Sequence, residues 1–135
     1  MLTGSLKIDD ASPIDHWKFA DWSTAARVNA KLDASFRTGS AGLLNTKKMR
    51  NKAVLLECDD ESFLVKARHA EEAGAVCVIF VNTDQTNPDA VAAPGDDSGR
   101  TVGIPVLMIS LNDGRHLTSG MTVRFLGSCL LTLDA

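Results

Sequence analysis

The sequence predicts an α/β fold, and three neighbouring observations carry that prediction. Ala53 to Glu57 (AVLLE) is a short apolar run of strand type. Phe63, Ala67, Ala70 and Ala73 then recur at spacings of four and three, which draws one stripe down a helix. Val76 to Val81 (VCVIFV) follows at once with no polar interruption, as in a strand covered on both faces. A strand–helix–strand unit this short implies two parallel strands with the helix as their crossover.

The remaining elements are read in chain order. Ser12-Pro13-Ile14-Asp15 has the composition of a helix start: a capping serine, proline at the first helical position and a carboxylate in the first turn. Trp17 and Trp22 are expected to anchor this N-terminal segment on the body of the domain. Ala25 to Leu32 fits strand or helix, because its periodicity decides neither. Residues 38–42 (TGSAG) are loop by composition. Asp59, Asp60 and Glu61 stand where the central helix begins and place negative charge near its exposed N–H groups. On that helix Lys66, Arg68, Glu71 and Glu72 are expected to face solvent, with His69 on the same polar side, and Gly74 falls where a left-handed cap is needed.

Residues 83–103 form the longest irregular stretch, with two prolines, three glycines and paired aspartates. Ile104 to Ile109 reads as a third strand, and Ser110 to Gly120 as a short helix and its end. Met121 to Leu126 and Cys129 to Leu133 read as two closing strands. Residues 1–51 are expected to pack as an N-terminal segment on a core of 52–135, the whole making one domain.

Composition narrows the function. The formal net charge of −3 supplies no overall basic field for nucleic acid or an anionic membrane, so neither is expected as a partner. No stretch approaches the length of a membrane span, and no signal-peptide core opens the chain, so a cytoplasmic setting is expected. Three widely spaced cysteines, Cys58, Cys77 and Cys129, fit neither a disulfide framework nor a zinc site. The three histidines fall in no HExxH pattern, no phosphate-binding glycine motif precedes the central helix, and no cofactor or metal is expected. A hydrolase built on Cys58, the thiol expected to be accessible, is the enzymatic alternative.

The order of short motifs adds a family. Ser62-Phe63 followed by Lys66, then Ala73-Gly74-Ala75, an apolar strand closing on Asn82, Ile104-Pro105, and Asp113-Gly114 with Leu117 together resemble the protease-associated (PA) domain. The resemblance spans Lys52 to Leu117. It implies a small β-barrel or sandwich with flanking helices. It also implies a non-catalytic module that binds a protein or peptide within a larger protein. Secretory members often carry a cysteine where this chain has Glu61, so their disulfide is not expected here. Asp59, Asp60, Glu61, Asn82, Asp96, Asp97 and Arg100 are the candidate partner-binding residues, expected beside the C-terminal ends of the parallel strands. An architectural or homo-oligomeric role is the other alternative.

Overall fold

The computed structural model of the 135-residue chain describes residues 2–9, 14, 17–35, 49–58 and 62–129. Seven strands form one mixed sheet: β1 (Leu2–Ile8), β2 (Trp17–Phe19), β3 (Arg27–Asp33), β4 (Ala53–Glu57), β5 (Cys77–Val81), β6 (Val106–Ile109) and β7 (Thr122–Cys129). Helix α1 (Phe63–Glu72) joins β4 to β5, and the one-turn helix α2 (Leu111–Gly114) follows β6.

The strand order is β1-β7-β3-β4-β5-β6-β2. Strands β3 to β6 run parallel, while β2 and β7 run antiparallel to their neighbours. Strand β1 is antiparallel to β7 and so points the same way as the parallel four. The sheet curls until its two edges nearly meet, where the Ile14 amide donates to the Leu6 carbonyl at 2.9 Å. The result is a nearly closed barrel, as the family resemblance implies. The join between β3 and β4 is narrow: two residue pairs, Leu32 with Ala53 and Asp33 with Val54.

Alternation along the strands builds two cores. Leu6, Ile8, Val28, Leu32, Leu55, Ile79, Leu107, Val123 and Phe125 point into the barrel. Val54, Leu56, Val78, Phe80, Val106 and Met108 point outward, where α1, Trp22 and the 82–105 segment cover them. Strands β4, β5 and β6 therefore bury both faces. Strands β1, β7 and β3 supply buried side chains to the inner core alone.

Several expectations change. Ser12, Pro13 and Asp15 of the segment read as a helix start lie outside the described residues, while its continuation Trp17–Phe19 is strand β2, because Trp17 and Phe19 pair with the β6 edge and set their rings against Phe125. The strand expected over Met121 to Leu126 runs on as one strand, Thr122–Cys129, and residues 130–133 of the last expected strand lie outside the described residues. The short helix ends at Gly114, well before Gly120. Ala25 to Leu32 resolves as strand β3.

Helix α1 starts on Ser62, whose hydroxyl accepts the Val65 amide at 3.4 Å, and ends at Gly74, whose φ of +92° is a conformation that side chains disfavour. Its buried side is Leu64, Lys66, Ala67 and Ala70. Lys66, expected in solvent, is 1% exposed. Its stem lies in the core, and Nζ donates to the Glu57 carbonyl at 3.3 Å. Glu71 is half-buried because its Oε2 accepts the Gly103 amide at 2.8 Å, which fastens the long loop to the helix. His69 is half-buried too, with a buried Nδ1 that has no hydrogen-bond partner.

Candidate functional site

The parallel strands and β1 deliver their C-terminal ends to one mouth of the barrel. Here a depression of about 330 Å³ opens between the end of β1 and α2. Ile8, Ile14, Leu117 and Met121 form its apolar floor, and Asp9, Asn112, Asp113 and His116 form its polar rim.

Local chemistry fixes each rim group. Ser110 caps α2 by accepting the Asp113 amide at 3.1 Å. A Cβ on Gly114 would come within 2.4 Å of Val81 Cγ1, so glycine lets α2 sit directly on the end of β5. Asn112 is held by three bonds. Its amide donates to the Pro88 carbonyl (2.9 Å), its Nδ2 to Asp89 Oδ1 (2.7 Å), and its Oδ1 accepts from the Arg115 guanidinium (3.1 Å). Asp9 has a positive φ of 55°, and its backbone amide and carboxylate both bind the backbone of Thr122 at 2.7 Å. His116 stays exposed. The arrangement offers carboxylates, a carboxamide and an imidazole around an apolar hollow, which suits an extended peptide with one apolar side chain.

The crossing loop divides the predicted contact residues. Asn82 stands at the mouth end, where its Nδ2 donates to the Ala90 carbonyl (3.1 Å) and its Oδ1 accepts the Asp84 amide (3.1 Å). Its side chain is thus committed to holding the loop. Asp84 gathers the Thr86 hydroxyl at 2.6 Å and the amides of Thr86 and Asn87. The Thr86 hydroxyl bond, first among these, holds its carboxyl below the ordinary 3.8.

Asp96, Asp97 and Arg100 lie elsewhere. Pro94 accepts the Trp22 indole N–H at 2.9 Å, and the Val102 amide donates to the Trp22 carbonyl at 3.0 Å. Residues 95–101 therefore project as an excursion bolted at both ends to Trp22, at the N-terminal end of β6. The expectation that all the candidates flank the C-terminal strand ends does not hold, because the loop crosses the full length of the sheet. Within the excursion Asp96 accepts the Ser98 hydroxyl (2.5 Å) and amide (3.0 Å). Those bonds, and then Arg100, hold its carboxyl down. Asp97 and Arg100 are exposed beside it. Asp59, Asp60 and Glu61 lie outside the described residues.

Among the described residues no group of three His, Cys, Asp or Glu side chains is placed to hold a metal ion. Cys77 is wholly buried, and burial pushes its thiol up to about 12. Cys58 is partly buried at the end of β4, where its amide donates to the Val81 carbonyl at 3.1 Å.

Residues 20–117, well over half the chain, match the PA domain family. The chain belongs to that family. The match begins at Ala20, so it takes in β3 as well as the Lys52–Leu117 stretch that carries the motifs. This PA domain is 31% identical over 85 residues to signal peptide peptidase-like 3 of Oryza sativa subsp. japonica, covering 63% of the chain and 16% of that protein. It is 37% identical over 73 residues to aminopeptidase YwaD of Bacillus subtilis, covering 54% of the chain and 15% of that protein. The chain thus spans about a sixth of the length of the curated relatives it matches. In three dimensions it is similar to BSAP, a zinc aminopeptidase from Bacillus subtilis, with a TM-score of 0.78 and 27% identity. That likeness covers 94% of this chain and 30% of the aminopeptidase. The cytoplasmic setting expected from the sequence has no support among these relatives. Among the described residues no helix is long and apolar enough to cross a membrane.

The mouth rim is what reading the sequence missed. Asp113-Gly114 was visible as a motif, but Asp9 and His116 carried no signal of their own. The usable clue was the alternation of Leu6 and Ile8 around Lys7, which marks β1 and brings Asp9 to the mouth.

Proposed function

We propose that this PA domain is a non-catalytic polypeptide-recognition module of a larger, peptidase-like protein. The observation that supports it best is the mouth depression, an apolar floor ringed by Asp9, Asn112, Asp113 and His116, in a domain similar to part of a zinc aminopeptidase. An extended peptide would set one apolar side chain on Ile14, Leu117 and Met121, with its backbone amides toward Asp113 and Asn112. Asn82 at the mouth end of the crossing loop, Asp96, Asp97 and Arg100 on its far excursion, and Asp59, Asp60 and Glu61 ahead of α1 are proposed as further contacts outside the hollow.

Peptide display on the immobilised chain tests this. Enriched peptides are re-measured against Leu117→Lys, which fills the hollow with charge, and against a combined Asp96→Ala, Asp97→Ala and Arg100→Ala chain. Binding lost in the first and weakened in the second is the expected result. Peptides that bind both variants as tightly as the unchanged chain would count against the reading.

A further inference from the structure

The outer face of β1, β7 and β3 is cationic in a chain that is acidic overall. Its cross-strand rows read Ser5–Leu126–Arg27, then Lys7–Arg124–Asn29, then Thr122–Lys31, with the Asp9 carboxylate on the Thr122 amide at the end of that last row. Those three strands carry four cations, Lys7, Arg27, Lys31 and Arg124, and one carboxylate, Asp33. Asp33 is buried at the β4 end of the face, where it accepts the Ser35 amide, and Asp9 is bound to the Thr122 backbone, so the cations outnumber the carboxylates there by four to two. Among the described residues no carboxylate pairs with Lys7, Arg27 or Arg124, and Lys31 donates to the Thr122 hydroxyl at 2.8 Å.

Two features of this face disagree with a merely solvated surface. Lys7 and Arg124 are direct cross-strand partners, and like charges opposite one another destabilise a sheet. Leu126 stands between Ser5 and Arg27 with 48% of its surface exposed, beside a shallow depression of about 350 Å³. Stability favours neither arrangement, and sites where local rules are broken are expected to be functional.

We infer that this face docks an acidic polypeptide segment, with carboxylates on Arg27, Arg124 and Lys7 and an apolar side chain covering Leu126. Guanidinium groups take planar carboxylates with two parallel hydrogen bonds, which suits two arginines flanking one leucine. A lone leucine buries too little to insert into a bilayer, and a bilayer has no side chain to fill the depression. The acidic, loop-bearing side of the domain, with Asp84, Asp89, Asp96 and Asp97, covers the outward core that β1, β7 and β3 do not share. The positive field is therefore confined to one face, which a narrow segment senses within a Debye length of about 8 Å at physiological salt.

The probe is a fluorescein-labelled peptide of glutamates interrupted by leucines, titrated with the whole chain by anisotropy. A lysine-for-glutamate peptide and phosphatidylserine vesicles run in parallel. Saturable binding of the glutamate peptide is expected, weakened at least about tenfold by the double variant Arg27→Gln, Arg124→Gln, since the loss of one charge-assisted contact alone is worth about that much. Lys7→Gln alone should weaken it less, Arg68→Gln on α1 should leave it unchanged, and added salt should weaken it. Circular dichroism checks each fold, and Lys7→Gln decides the matter if the double variant does not fold. The proposal is overturned by absent binding, by binding that ignores these substitutions, or by vesicles that bind through these residues while the peptide does not. Loss of mouth binding in Leu117→Lys does not touch it.

Discussion

The two halves of the sheet solve different problems with the same backbone. In β4, β5 and β6 every residue but Glu57 is buried, and the strands read as unbroken apolar runs. In β1, β7 and β3 one face is core and the other is bare, so Leu6, Ile8, Val28, Val123 and Phe125 alternate with lysine, arginine and asparagine. The covered half holds the molecule together and leaves nothing for a partner to touch. The bare half contributes one face to the core and leaves Arg27, Asn29, Lys31, Arg124 and Leu126 exposed on the other. Burial is thus distributed by strand, with both faces covered in β4, β5 and β6.

Substitutions break that comparison where it is wrong. Phe80 lies at 0% exposure against Phe63, ring centroids 4.9 Å apart. Phe80→Ala should cost about 3–5 kcal/mol in chemical denaturation, whereas Arg124→Ala should stay within about 0.5 kcal/mol. Similar values for the two would erase the distinction. Gly114→Ala drives a methyl into Val81 and should cost about 1–3 kcal/mol, with the mouth disturbed more than the bare face in amide NMR spectra.

The next test sharpens the contrast by improving the bare half. Lys7→Glu puts opposite charges across from Arg124 and should raise stability by about 0.2–1 kcal/mol, an effect that shrinks in high salt. An equally large gain in high salt would assign it to something other than charge.

The smallest expected effect belongs to the loop that covers the outward core. Asp84 and Asp96 both sit below the ordinary 3.8 in the folded chain, through bonds from Thr86 and Ser98. A depressed carboxyl contributes fully above its unfolded value, and the contribution fades as pH falls through the lower folded value. The amide resonances of Thr86 and Ser98 should therefore titrate with midpoints under 3.8. Midpoints at or above 3.8 would mean these turns are not formed in solution.

The covered half was legible in the sequence because each signal there has one cause. Uninterrupted apolar runs mean two buried faces, the alanine spacing means a helix lying close to a sheet, and Gly74 takes the positive φ its place demands. The bare half was not. Strand β1 interleaves threonine, glycine and serine among its apolar residues, and at Trp17–Phe19 tertiary pairing with β6 decides what local preference leaves open. Lys66 misleads for another reason, since its charge advertises solvent while its four-carbon stem fits the core and its tip finds the Glu57 carbonyl. The candidate site was legible in part. The Asp96–Arg100 cluster is local in sequence and does gather, but the mouth is assembled from Ile8 and Asp9, Ile14, Asn112 to Leu117 and Met121. Periodicity within one window carries no information about such distant neighbours.

The join at Leu32–Ala53 and Asp33–Val54 has a mechanical meaning. Among the described residues, besides the chain itself, the cationic strands are tied to the rest of the sheet by these two rungs on one side, the Leu6–Ile14 bridge on the other, and the oily interior between them. Among the described strands, β3–β4 is thus the ladder with the fewest rungs, the thinnest seam in the sheet.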